Sequence, residues 1–388
     1  MRAFKGRFVF PDTGAVEEGC LYVEEGRIKA FEDRPPLSGD VVALPGYVIP
    51  GLIDAHVHLS FSGGLDPVGE MEAEPLATTV ARAVRYLEAY LQAGITAVRD
   101  LGSREAMAIG LATAVEKGVV RGPRIVAAGY VITPTGGHGH RHGIEADGPD
   151  AVRKAARANF KAGARALKLM ATGGVMTPGI KAGAEMFEAE EMAAGAREAE
   201  KRGYVSAAHA QGLAGIKAAL KAGVKTIEHG AFDAWDDEAI GLFKNNNALL
   251  VPTLAAPDGI LSGGERVPAF MLEKTRPIAE RHRENTRIAY EKGVEIAAGT
   301  DAGTPLNPHP NLARELELLH EVGLSLADVL RAATTLGARA LGLEGLIGTL
   351  AEGAFADLVA LDQNPLETPL AYRHPRATVM AGEVLMKV

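Results

Sequence analysis

Five short segments end an apolar run in a side chain that can hold a metal ion. They are Asp54-Ala55-His56-Val57-His58, Leu167-Lys168-Leu169, Ala207-Ala208-His209-Ala210, Ile227-Glu228-His229-Gly230 and Gly299-Thr300-Asp301-Ala302-Gly303. His56 and His58 are two apart, so on a strand both imidazoles point to one face. Two imidazoles on one face suit zinc or a similar divalent ion. Lys168 interrupts the otherwise apolar stretch Ala166–Met170, where an isolated charge is costly. One reading pairs it with a nearby acid. The other has CO₂ carboxylate the neutral amine to a two-oxygen carbamate that bridges two metals, because burial and nearby cations lower a lysine pKa. The turn Gly173-Gly174-Val175 either simply reverses the chain or offers backbone N–H groups to a substrate carboxylate. His140 and His142, in Gly137-His138-Gly139-His140-Arg141-His142, are expected to be solvated.

These groups need a scaffold that brings distant segments to one rim. The middle of the chain alternates apolar runs with Ala-, Glu- and Arg-rich helical stretches. Eight candidate strands are Val48–His56, Thr96–Leu101, Arg124–Gly129, Ala166–Met170, Tyr204–His209, Thr226–His229, Leu249–Thr253 and Glu295–Thr300. Helical patterns between them include Pro75–Ala93, Pro149–Ala162, Ala189–Lys201 and Leu213–Ala222. Gly94, Gly163, Gly203, Gly223 and Gly293 follow a helix and precede a strand, the place for a left-handed cap. Eight such units predict a TIM-type (β/α)8 barrel over 49–347, with a doubly wound open sheet as the alternative. No Gly-x-Gly-x-x-Gly follows the first strand, which argues against a dinucleotide site. In a barrel the polar strand ends share the C-terminal rim.

Both ends of the chain read as short strands: Phe4–Val9, Cys20–Glu24 and Arg27–Phe31, then Asp357–Asp362 and Ala377–Lys387. Residues 1–48 and 348–388 are expected to form one small β-sandwich domain together.

The bulk properties narrow the function. With 47% hydrophobic and 23% charged residues, the 388-residue chain can bury a sizeable core. A net charge of −8 argues against a nucleic-acid partner. The single cysteine, Cys20, excludes an intrachain disulfide and fits a reducing compartment. No secretory signal and no membrane-spanning run is read, so a cytoplasmic location without a membrane partner is expected. Homo-oligomerisation stays open.

Pro50-Gly51-Leu52-Ile53-Asp54-Ala55-His56-Val57-His58 resembles the first-strand signature of the amidohydrolase superfamily, and Gly348 to Val359 resembles its return into a β-sandwich. Lys168 in Lys-Leu-Met-Ala-Thr-Gly-Gly-Val is similar to the binuclear prolidase and imidazolonepropionase-related group. The resemblance covers essentially the whole chain. It implies two divalent ions, with Zn²⁺ expected: one on His56, His58, Lys168 and Asp301, the other on Lys168, His209 and His229, with Lys168 as a bridging N6-carboxylysine. It further implies a hydroxide shared between the metals that attacks an amide or peptide bond. Asp301 then moves the proton, and His138 either bonds the developing oxyanion or is a water-exposed loop histidine. The implied substrate is a small molecule or dipeptide, Xaa-Xaa or N-acyl amino acid, as in dipeptidases, carboxypeptidases and ochratoxin-type amidases. Gly174, Val175 and Gln211 are the candidate substrate contacts. Gln211 stands where relatives often have Tyr, and the loop after His138 lacks their acidic residues. A cyclic-amide hydrolase or deaminase is the alternative, and a metal-binding barrel without turnover a third reading.

Overall fold

The computed structural model describes residues 1–35, 39–177, 179–267 and 269–387. The chain begins with β1 (Arg2–Val9), β2 (Val16–Glu24), β3 (Arg27–Glu32) and β4 (Asp40–Pro50). Nine short strands follow: β5 (Leu52–Val57), β6 (Ile95–Asp100), β7 (Arg124–Ala127), β8 (Val131–Thr133), β9 (Gly143–Glu145), β10 (Ala166–Met170), β11 (Val205–Ala210), β12 (Thr226–His229) and β13 (Leu249–Val251). It ends with β14 (Leu358–Leu361), β15 (Pro375–Met380) and β16 (Glu383–Lys387).

The two ends of the chain do combine. They build one seven-stranded sheet in the order β16-β15-β14-β4-β1-β2-β3. The segment before β14 runs along the far edge, with Ile28 N–H donating to Ala354 O and Ala356 N–H to Gly26 O. The sheet thereby curls around Phe4, Phe8, Leu21, Ile28, Leu350 and Leu358, one shared apolar core. Cys20 is buried as a free thiol.

The inner strands are parallel, as expected of β-α units. They form two arcs, β5-β6-β7 and β13-β12-β11-β10-β8-β9. Backbone bonds continue between the arcs. Arg165 N–H donates to Ala127 O at 2.9 Å on one side. On the other, Leu250 N–H reaches Glu295 O at 3.0 Å and Ala55 N–H reaches Ala298 O at 2.9 Å. Helices fill the connections, among them Leu76–Gln92, Gly148–Ala162, Ala189–Glu200 and Leu213–Lys221, close to their expected limits. The five predicted cap glycines all have positive φ, from +69° at Gly203 to +110° at Gly163. Among the described residues no helix is long and apolar enough to cross a membrane.

Three expectations need correction. Val48–His56 is two elements, because Val48–Pro50 belongs to β4 and pairs with β14, so the terminal sheet extends beyond residue 48. Gly51 makes the break, where a Cβ would lie 2.0 Å from Thr96 Oγ1. Arg124–Gly129 ends early at Ala127, and a separate β8 pairs with β10. Glu295–Thr300 is not a continuous strand. It makes only bridges, Leu250 with Ile296 and, just past it, Val57 with Ala302. There the backbone is crowded: a Cβ on Gly299 would sit 2.9 Å from His56 N, and Asp301 has φ +58°. A ladder cannot continue through that conformation.

Candidate active site

Strand alternation aims Lys168 with Ala166, and His209 with Ala207, to the same faces of β10 and β11. His229 obeys a different rule. Its neighbour Glu228 already faces the site, so alternation would send His229 away. A φ of +75° turns it back. Asp301 at +58°, after the bridged segment Glu295–Thr300, and Thr253 at +58°, just past β13, are likewise left-handed non-glycine residues. Each such conformation costs on the order of 1–3 kcal/mol and persists only where the surroundings enforce it.

His56, His58, Lys168, His209, His229 and Asp301 line one pocket, together with His138, Val175 and Gln211. The hydrogen bonds behind the rings settle several tautomers. His58 Nδ1 lies 2.8 Å from Gly102 O, which can only accept, so Nδ1 carries the proton. His56 Nδ1 donates to the Glu228 carboxylate at 2.8 Å. Thr253 gives its hydroxyl proton to Pro252 O at 2.6 Å and therefore accepts from His229 Nδ1 at 2.8 Å. All three rings thus offer an Nε2 lone pair. His56 Nε2 and His58 Nε2 stand 3.4 Å and 3.2 Å from Asp301 Oδ1. Lone pairs facing a carboxylate at that range repel unless a cation or proton lies among them. Burial is the largest single influence on His58 and lowers its pKa, but the hydrogen bond to Asp301 and the charges of Asp301 and Asp100 together outweigh it, so the net shift is upward.

Among these six candidate ligands, three polar atoms are buried without a hydrogen-bond partner: His56 Nε2, His209 Nε2 and Lys168 Nζ. Such atoms are rare and costly unless a ligand satisfies them. Burial lowers the Lys168 ammonium pKa to about 8. Burial also pushes His56, His209 and His229 well down, and the Lys168 charge adds to the shift at all three. At Asp301 burial acts upward, yet His56, His58 and Lys168 hold it below the usual carboxylate range. His56, His58 and Asp301 form a group of ligand atoms all within 4.8 Å. The His209 and His229 rings are 4.6 Å apart beside it. These residues fit a metal centre by donor type, tautomer and lack of other partners.

The loop residues are placed less as expected. The His138 ring lies tilted against His209, with ring centres 4.5 Å apart, and its Nδ1 meets Thr177 Oγ1 at 2.7 Å. Burial lowers its pKa to about 4, so it is neutral at pH 7. Gly174 does not line the pocket; a Cβ there would lie 2.5 Å from His138 Nε2, so glycine is what admits the ring. Gln211 is buried with its Oε1 unpartnered. His142 is not a solvated loop residue, since its Nδ1 is buried and its ring packs on Phe61 at 5.3 Å, whereas His140 stays partly exposed on the pocket lining.

Sequence reasoning missed the layer beneath. Arg99, on β6, is fully buried and donates to Ala55 O, Ala340 O, Thr226 Oγ1 and Glu228 Oε1. Glu228 in turn orients His56. The signal was present, because Arg99 interrupts an apolar strand just as Lys168 does. Asp54 ties β5 to the last segment by accepting from Thr300 N at 3.0 Å and Thr300 Oγ1 at 2.7 Å. Arg99→Met should destabilise the protein by about 3–5 kcal/mol, because it strands a buried carboxylate. Urea unfolding measures this, and a loss below about 1 kcal/mol would show that Glu228 finds other compensation.

Residues 47–385 match the sequence profile of the amidohydrolase family. The chain belongs to the amidohydrolase family. Ochratoxinase of Aspergillus niger is 32% identical over 374 residues, 88% of this chain and 75% of that enzyme. A solved Xaa-Pro dipeptidase with methionine bound in its active site superposes with a TM-score of 0.90 at 28% identity, covering 99% of both chains. A prolidase in complex with N-methylphosphonate-L-proline reaches 0.91 at 30% identity, covering 100% of both. Amidohydrolases generally bind metal ions, in keeping with the donor set above, and this chain is a hydrolase by that membership.

Proposed function

We propose that this amidohydrolase is a binuclear metal-dependent hydrolase of dipeptides or N-acyl amino acids, built on a (β/α)8 barrel with the terminal sheet as a β-sandwich. The observation that carries the reading is the convergence of buried, unpartnered His56 Nε2, His209 Nε2 and Lys168 Nζ with Asp301 on one pocket. His56, His58, Lys168 and Asp301 would hold one divalent ion, and Lys168, His209 and His229 the second. Zn²⁺ suits imidazole and carboxylate donors. Lys168 can serve both only as its carbamate, and a pKa near 8 leaves a share of neutral amine for CO₂ at neutral pH. When bound, the two ions would polarise the scissile carbonyl and acidify a shared water.

The chain's own groups do the rest. Asp301 Oδ1, beside the His56 and His58 nitrogens, takes the proton of the attacking water and passes it to the leaving amine. A Thr177 hydroxyl donating to His138 Nδ1 leaves the ring proton on Nε2, available to the developing oxyanion. Val175 and Gln211 contact the substrate; Gly174 acts by seating His138. His138→Ala should lower kcat by about 10²–10³-fold with metal content unchanged, the size of a lost oxyanion donor. Equal losses of metal and rate would make His138 a support for His209 instead.

The similarity to ochratoxinase of Aspergillus niger, to a Xaa-Pro dipeptidase and to a prolidase supports amide bonds as the substrate class. The test is product release across a dipeptide and N-acyl amino acid library by the metal-loaded protein, with metal counted by plasma mass spectrometry. Two equivalents and amide cleavage are expected. The compact group His56, His58 and Asp301 favours a second reading, a one-metal deaminase or cyclic-amide hydrolase, which one equivalent and no release from the library would support.

A further inference from the structure

Glu315, in the helix Leu312–Glu321, is a fully buried acid with no part in the chemistry above. Its two carboxyl oxygens accept from Leu254 N–H at 3.0 Å and from Ala255 N–H at 2.7 Å. Those donors open the helix Ala255–Ser262, and both residues are buried away from water. The first N–H groups of a helix have no partner within it, and a polar side chain just ahead usually supplies one. Neither residue ahead can do so here. Leu254 has no polar side chain. The Thr253 hydroxyl is committed, donating to Pro252 O and accepting from His229 Nδ1. Glu315 supplies the missing acceptors from a helix some sixty residues further on. Burial pushes its pKa up to about 8 although both N–H bonds act against the shift, so an acid is a costly cap at this place. What the acid adds is a fixed position for the peptide directly after Thr253, whose backbone is held left-handed at φ +58°.

We propose that Glu315 is a positioning residue for the second metal ion: by holding Leu254 and Ala255 it fixes Thr253, and Thr253 fixes the tautomer and angle of His229. This rests on the two-metal reading and adds to it a residue that touches neither metal ligands nor substrate. The same helix face also reaches the other side of the centre. Four residues before Glu315, Asn311 Nδ2 donates to Asn307 Oδ1 at 2.8 Å, and Asn307 Nδ2 donates to Thr300 O at 2.8 Å, next to Asp301. One helix thus braces the His229 side through Glu315 and the Asp301 side through Asn311. Because the two paths are separate, loss of the Glu315 contacts acts on the ion held by His229 and spares the one held by Asp301.

The experiment titrates metal-free protein with Zn²⁺ in bicarbonate buffer by calorimetry. His209→Asn, which removes a ligand of the second ion alone, identifies that ion's step. Glu315→Gln keeps the shape of the side chain but sets an NH₂ donor against one of the two N–H groups. It should weaken the second ion by about 10- to 100-fold, the usual worth of a group that orients a metal ligand, and the first by less than about threefold. Thr253→Ala should match it, and Thr253→Ser, which keeps the hydroxyl, should stay near wild type. The double variant Glu315→Gln with Thr253→Ala should bind no more weakly than Thr253→Ala alone, because both changes cut one path. If Glu315→Gln does not fold, Glu315→Asp, which keeps the acid but is too short to reach both N–H groups, takes its place with the same ordering expected. Equal weakening of both ions, no weakening of either, or losses that add in the double variant overturn the assignment and leave the two-metal reading intact. A wild type that takes up one equivalent overturns this inference and the two-metal reading together.

Discussion

Asp301→Asn is expected to keep both metals and to lose kcat by about 10²–10⁴-fold, the range of a general acid–base contribution. The substitution is unusually clean at this position. Asp301 sits at φ +58°, and asparagine is among the few residues that tolerate a left-handed backbone. Its N–H bond to His56 O at 2.7 Å does not involve the side chain and survives. The asparagine amide still offers an oxygen at the Oδ1 place, 3.2 Å from His58 Nε2. What it lacks is a site for a proton at neutral pH. The metal stays while proton transfer fails. The wild-type rate should also fall on the acid side, as the attacking water and Asp301 take up protons as a coupled unit. His209→Asn, by contrast, should lose metal and activity together. Metal content measured beside kcat decides the matter: a variant with both metals and near wild-type turnover would make Asp301 a ligand alone, and another base would have to be found.

Lys168→Ala should lose most metal and nearly all activity, and part of both should return with a short acid. Lys168 is about 1% exposed, and its Nζ has no partner. An unmodified ammonium there would oppose cation binding, since its charge already lowers the pKa values of His56, His209 and His229. Carboxylation reverses that sign and adds two oxygens between the two groups of histidines. Removing the side chain leaves space beside the same donors, and acetate or formate in that space can replace the carbamate. For the native lysine, metal reloading of stripped protein should depend on added bicarbonate. Metal uptake that ignores bicarbonate, together with no rescue of the alanine variant by any short acid, would rule out the bridge.

Much of this was legible in the residues, because metal ligation needs particular atom types at strand ends. His56-x-His58, Lys168 in an apolar strand, His209, His229 and Asp301 were marked by type and by local pattern, and the structure brings all of them to one pocket. The β-α alternation and its cap glycines were equally local, since 3.6-residue and two-residue periodicities and a left-handed cap are properties of a few neighbouring residues. Three things were not local. His229 and Asp301 reach the pocket through positive φ angles that alternation does not predict and that only surrounding contacts can enforce. The tautomers of His56, His58 and His229 depend on Glu228, Gly102 and Thr253, which lie on other strands or loops. His140 and His142 read as solvated loop residues in the sequence, yet folding places both on the pocket lining. Residue types and short periods thus determined which atoms are available and on which elements. Which lone pairs face each other, and which buried atoms lack a partner, was decided by tertiary packing, because hydrogen-bond satisfaction and burial depend on groups far apart in the chain.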